Sequence, residues 1–199
     1  MRTYRPIILA SQSPRRKELL GRIVPDFTVC PADVDERMSP ACTPKQNVYE
    51  LAQRKARAVW EQADPSALVI AADTIVVCDD AILGKPQDEA DALRMLTMLS
   101  GRTHQVMTAV CVKTADRMLT DVSVTDVTFR PLHEGEAQAY IAGGEPMDKA
   151  GAYGIQGAGG LFVSGILGDY YGVMGLPICM LSEMLRQVCG SPAAELQKG

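Results

Sequence analysis

The sequence has no apolar run of membrane-spanning length. Its longest, Ala67-Leu68-Val69-Ile70-Ala71-Ala72, falls far short of the roughly 20 residues a bilayer demands, so no membrane partner is expected. An excess of positive charge is also missing: 20 Lys+Arg stand against 24 Asp+Glu, a formal charge of −4. Binding to a nucleic-acid backbone has no global electrostatic support, and any polyanion site must be local. The apolar stretch Ile7-Ile8-Leu9-Ala10 is too short for a signal peptide, which places the chain in the cytoplasm as an expectation. Six cysteines (Cys30, Cys42, Cys78, Cys111, Cys179, Cys189) contain no C-x-x-C pair and read as small buried thiols in a reducing compartment. Only His104 and His133 could supplement them, so a zinc site is not expected. There is no G-x-S-x-G elbow, no G-x-x-x-x-G-K-[ST] loop and no G-x-G-x-x-G after a strand. Covalent catalysis by a Ser–His or Cys–His pair therefore has little support, and hydrolysis by an activated water is more economical.

What is present is an ordinary globular composition: 199 residues, 47% hydrophobic and 22% charged, enough for one sizeable core or two small lobes. Ile7–Ala10 reads as a buried strand. Ser13 then caps a helix with Pro14 in its first turn and Gly21 at its stop. A second helix is predicted from Thr43-Pro44 to about Gln62, with Val48, Leu51, Ala52, Ala56 and Val59 on one face. Leu68–Cys78 reads as a buried strand, turning at Asp79-Asp80 into Ile82-Leu83. Asp88, Glu89 and Asp91 open a third helix with Leu93, Leu96 and Leu99 inward and Gly101 beyond its end. Strands are predicted at 106–112 and 122–129, a helix from about Leu132 to Ala142, a strand at Leu161-Phe162-Val163 and a last helix from Pro177 to about Val188. Strands and helices do not alternate strictly, which favours a mixed-sheet α/β or α+β domain over a doubly wound parallel one.

Several residues break the local rules. Arg15, Arg16 and Lys17 stand in the first turn of a helix, where cations are disfavoured, so they either splay into water or join Ser11 and Ser13 in a phosphate cradle. Lys55 shares the apolar face of the second helix and either snorkels outward or faces an anion. Asp73 interrupts an apolar strand. It must meet donors, a cation or a metal, and could take a proton from water. Asp33, Asp35 and Glu36 offer further oxygen ligands, and Lys85 sits in the constrained turn Gly84-Lys85-Pro86. Between Gly151 and Gly160 there are five glycines in ten residues, the sign either of flexible low-complexity sequence or of a turn presenting Gln156, whose amide has the donor and acceptor needed to read a nucleobase edge.

The ordered set Leu9-Ala10-Ser11-Gln12-Ser13-Pro14-Arg15-Arg16, Leu51-Ala52-Gln53-Arg54-Lys55-Ala56, Ala72-Asp73-Thr74, Leu83-Gly84-Lys85-Pro86, Leu99-Ser100-Gly101-Arg102-Thr103-His104, the run from Asp148 to Gly157 and Gly175-Leu176-Pro177 resembles the Maf-like nucleoside triphosphate pyrophosphatases, also known as septum formation inhibitor proteins. The resemblance implies an elongated mixed sheet flanked by helices, two lobes around a nucleotide cleft similar to inosine triphosphate pyrophosphatase, and a single such domain over 1–190 with a frayed tail at 191–199. It implies hydrolysis of a nucleoside triphosphate to the monophosphate and pyrophosphate with Mg²⁺ or Mn²⁺. Asp73 is then the proton acceptor and a metal ligand, with Asp35 or Glu36 as a second metal-associated acid. Ser11, Arg16, Lys55 and Lys85 fall on phosphate-binding positions, and Arg15, Thr74 and Gln156 on positions that set base preference. Gln156 matches the branch acting on dTTP and UTP, and homodimers are common in the family. The competing readings are a pyrophosphatase for a modified or purine nucleotide and a nucleotide-binding regulator of septum formation.

Overall fold

A computed structural model describes residues 5–189, and the tail expected at 191–199 lies outside them. The strands are β1 (Ile7–Leu9), β2 (Thr28–Val29), β3 (Leu68–Cys78), β4 (Ala81–Leu83), β5 (Thr103–Lys113), β6 (Met118–Phe129) and β7 (Val163–Leu167). The helices are α1 (Pro14–Gly21), α2 (Pro44–Trp60), α3 (Glu89–Leu99), α4 (Glu136–Ala142), α5 (Tyr170–Met174) and α6 (Ile178–Cys189). One seven-stranded sheet runs β2-β1-β3-β5-β6-β7, with β4 paired to β3. It is mixed: β1 lies parallel to β2 and β3, whereas β3–β4 and β6–β7 are antiparallel. No described helix is long and apolar enough to cross a membrane.

Among the described residues the chain divides into two compact units, 5–73 with Thr108–Ser123 and 175–189, and Thr74–Met107 with Val124–Met174. In the first, Leu9, Leu19, Leu20, Leu51, Leu68, Ile70, Leu181 and Leu185 are almost completely buried. Burial of each such side chain contributes roughly 1.5–3 kcal/mol to the stability of this unit. The helix starts are fixed locally. Ser13 Oγ accepts the amide of Arg16, and Thr43 forms a reciprocal capping box with Gln46.

The second unit is built around Val76, Leu83, Leu96, Leu99, Phe129, Tyr140, Tyr153 and Phe162. His104 joins them at 2% exposure, its Nε2 lying 2.8 Å from Tyr153 Oη and its ring edge-on to Phe129. Burial pulls this imidazole down to about 4. Its folded pKa lies below the unfolded value, so between pH 6.5 and 4 the unfolded chain binds the additional proton. The stabilisation is complete above that window and is lost as pH falls through it. Urea unfolding is expected to show wild-type stability about 2 kcal/mol lower at pH 5 than at pH 7 from this group, a difference that His104→Gln lacks. Equal losses in both proteins would remove His104 as the cause.

Three expectations are corrected. Of residues 161–163, Leu161 and Phe162 are not strand: Ala158–Phe162 is a 3₁₀ turn and β7 begins at Val163. The helix expected from Leu132 starts only at Glu136, after Gly135 at φ 80°, because the His133 amide and the Arg130 guanidinium bind the Glu136 carboxylate and use 130–135 as a connecting turn. Among the cysteines only Cys78 and Cys111 are buried, while Cys30 and Cys179 are exposed. All six are unbridged.

Candidate active site

The register of α2 carries Lys55 inward with Leu51, Ala52 and Ala56, and its side chain is only 10% exposed. It does not snorkel. Nζ lies 2.7 Å from Asp73 Oδ1 and 2.7 Å from Glu36 Oε1. Asp73 is thus held in the middle of β3 by an ammonium rather than by backbone donors alone, which offsets the several kcal/mol that a bare carboxylate would cost there.

Arg16 completes the charge balance. Its Nε donates to the Gly175 carbonyl at 2.9 Å and Nη1 to Ser11 Oγ at 3.4 Å, so α1 turns this guanidinium back over the chain instead of into water. Burial lowers its pKa, Asp73 opposes that shift and neighbouring Arg15 adds to it. Ser11 Oγ also accepts the Ser13 amide at 3.2 Å and is itself buried. Of the three cations opening α1, Lys17 alone is exposed, and Arg15 is half-buried. The charges of Arg16, Lys55, Asp73 and Glu36 sum to zero.

The two candidate acids on the loop before α2 separate. Asp35 is turned to Arg37, whose Nε donates to it at 2.8 and 3.1 Å and whose amide donates at 3.0 Å. These hydrogen bonds hold the Asp35 carboxyl down to about 2. Glu36 alone reaches Lys55, and Asp33 is exposed. The loop is pinned by two α2 residues that the sequence reading did not select. Arg54 donates to the carbonyls of Asp35 (2.6 Å) and Arg37 (3.3 Å), bracketing Glu36. Asn47 binds the amide and carbonyl of Ser39 and the carbonyl of Cys42. A buried asparagine inside an amphipathic helix was the available signal, since asparagine is a poor helix former that competes for backbone groups.

Two carboxylates converging on one cationic centre suit a hard divalent ion. Mg²⁺ and Mn²⁺ accept oxygen donors, and Mg²⁺ commonly takes one or two carboxylates with the remaining ligands from phosphate and water. Among the described residues no group of three His, Cys, Asp or Glu is arranged as an all-protein cage. Asp73 and Glu36 therefore fit an ion shared with a phosphate-bearing ligand.

The remaining candidate residues lie from Thr74 onward, in the second unit. Thr74 follows Asp73 on β3 and is half-buried. Lys85 is exposed in the turn after β4, where the Gly84 carbonyl accepts the Gly151 amide at 3.0 Å and ties this turn to the glycine-rich segment. Gln156 is exposed, at a corner of the turn closed by the Gly157 amide on the Gly154 carbonyl. The glycines here serve close packing rather than looseness. A Cβ on Gly159 would stand 2.9 Å from the Gly154 backbone, and one on Gly160 would stand 2.6 Å from the Ile155 carbonyl.

The Maf-like protein family matches residues 6–188. The chain is 49% identical to the dTTP/UTP pyrophosphatase of Bacillus velezensis over 181 residues, 91% of this chain and 95% of that one. It is 51% identical to the dTTP/UTP pyrophosphatase of Thermococcus kodakarensis over 172 residues, 86% of this chain and 91% of that one. Among solved structures, the Staphylococcus aureus Ham1 protein is similar at TM-score 0.41 and 17% identity, over 63% of this chain and 72% of that one. By the extent of the family match and the identity to these relatives, the chain belongs to the Maf-like protein family.

Proposed function

We infer that the chain hydrolyses nucleoside triphosphates at the α–β anhydride, preferring dTTP and UTP and releasing the monophosphate and pyrophosphate. The observation that carries this reading is the Lys55 ammonium set between Asp73 and Glu36, in a chain about half identical to proteins named for that reaction. Asp73 accepts a proton from water as the water oxygen bonds to one phosphorus of the α–β anhydride, and that phosphorus's bond to the bridging oxygen breaks, the electron pair leaving on the departing pyrophosphate or monophosphate. Lys55 holds Asp73 in place, and Arg16, Ser11 and Lys85 neutralise and bind phosphate oxygens. Mg²⁺ or Mn²⁺ held by Asp73 and Glu36 supplies charge neutralisation on the phosphates when bound. Asp35, bound by Arg37, has no part in this reading. Gln156 offers an acceptor to the N3–H and a donor to a carbonyl of uracil or thymine, with Arg15 and Thr74 as further determinants of base preference. The substrate places the enzyme in the cytoplasm, where nucleoside triphosphates are held, and its work there is removal of unwanted nucleotides.

Pyrophosphate release from dTTP, UTP, CTP, GTP, 7-methyl-GTP and ITP, with Mg²⁺, with Mn²⁺ and with chelator, tests the reading. Metal-dependent turnover favouring dTTP and UTP is expected. Preference for a purine keeps the reaction and overturns the base assignment. Tight nucleotide binding without turnover replaces the enzyme by a nucleotide-binding regulator.

A further inference from the structure

The glycine-rich segment is wrapped around a carboxylate of its own chain. Glu145 Oε2 accepts the Ala158 amide at 3.0 Å, and Oε1 accepts the Gly159 amide at 3.4 Å. Tyr140 Oη donates to Oε1 at 2.9 Å and accepts the Gly154 amide at 3.1 Å. The amides of 154, 158 and 159 thus bracket the Ile155–Gln156 turn from both ends. The wrapping is tight enough that a Cβ on Gly157 would collide with the Glu145 carboxylate, and one on Gly154 would stand 3.0 Å from Oε1. Glu145 is anchored in turn, since Lys149 Nζ donates to its carbonyl at 2.5 Å and to Asp148 at 2.6 Å. Burial above all, and then the hydrogen bond to Glu145, push the Tyr140 hydroxyl up and keep it a donor, although the Gly154 amide opposes them.

A glutamine amide presents a carbonyl oxygen that accepts and an NH₂ that donates, and turning it by half a revolution exchanges the pattern that suits uracil for the pattern that suits cytosine. That half-turn is a rotation about the last side-chain torsion, so what selects between the two orientations is the set of groups the amide meets at the place where the backbone puts it. We propose that Glu145 is a positioning residue for base selection: its carboxylate is the internal template that sets the Gly154–Gly159 backbone, and thereby the orientation in which Gln156 meets the base. The proposal rests on the reading of Gln156 as the base-contacting residue.

The experiment is a double-mutant cycle on the ratio of kcat/KM for UTP over CTP, using Glu145→Gln, Gln156→Ala and the pair, with thermal unfolding of each. Glu145→Gln keeps the shape but puts an NH₂ where one of the amides donates. It is expected to lower the ratio about tenfold in the wild-type background and to change it no further once Gln156 is replaced by alanine. If Glu145→Gln unfolds the protein, Tyr140→Phe, which frees the Gly154 amide, takes its place in the cycle. A ratio unchanged by Glu145→Gln but lowered by Gln156→Ala overturns the positioning role and leaves the base reading standing. A ratio unmoved by Gln156→Ala overturns the base reading and the proposal with it. A merely structural role would lower kcat/KM for both nucleotides equally in both backgrounds.

Discussion

Asp73→Asn is expected to lower kcat on dTTP about 10³-fold while leaving KM close to the wild-type value. General-base catalysis contributes typically 10²–10⁴-fold, and an amide oxygen cannot hold the proton taken from water. The fold should survive. The amide oxygen introduced by Asp73→Asn can still accept from Lys55 Nζ, which lies 2.7 Å from the wild-type carboxylate, and Glu36 retains that ammonium at 2.7 Å. The loss is therefore about 1–2 kcal/mol, below the 3–5 kcal/mol that follows when a buried charge is stripped of its only partner. Steady-state kinetics and a thermal melt of the same preparation measure both effects. A kcat within tenfold of wild type would take Asp73 out of the proton transfer, and a protein that no longer melts cooperatively would make its role structural.

Much of this site was legible because it is written in short-range patterns. Lys55 shares a helical face with Leu51, Ala52 and Ala56, and the structure buries it with them. Asp73 breaks an apolar run that forms β3 with the boundaries read from composition. Ser13-Pro14 and Thr43-Pro44 mark helix starts because capping is settled within three residues. The choice between Asp35 and Glu36 was not legible. The two are adjacent and chemically alike, and what separates them is Arg54, 19 residues beyond Asp35, whose grip on two carbonyls sends one to Arg37 and the other to Lys55. The glycine-rich run leaves both a loose segment and a turn presenting Gln156 open in the sequence for the same reason. Its turns form around Glu145, 13 residues before Ala158, so local propensity reads as looseness what a distant carboxylate holds in place. Leu161-Phe162-Val163 is strand-like by composition, yet Leu161 and Phe162 complete that 3₁₀ turn and Phe162 is buried against Tyr140.

Lys55→Met is expected to affect turnover and stability together. Methionine matches the buried stem of a side chain that is 10% exposed, so the lost element is the ammonium. Its removal leaves the Asp73 and Glu36 carboxylates, both within 2.7 Å of that ammonium in the wild type, with Arg16 as the remaining cation of the four-charge group. The balance shifts from zero to −1, and two like charges are left without the ion between them, a deficit of about 3–5 kcal/mol if neither side chain swings into solvent. Glu36 is the one that can swing, since its side chain is 59% exposed, which places the expected loss at the lower end of that range. Turnover should fall about 10²–10³-fold, because Asp73 loses the donor that orients it and the phosphates lose a fixed positive charge. Thermal melts with and without millimolar Mg²⁺ separate this account from simple cavity damage. Two unneutralised carboxylates bind a divalent ion more tightly than two that already share an ammonium, so Mg²⁺ should raise the Tm of the variant by more than that of the wild type. A variant whose Tm ignores Mg²⁺ would mean that Asp73 and Glu36 do not act as a joint donor set, and the metal assignment would then fall even if turnover were lost.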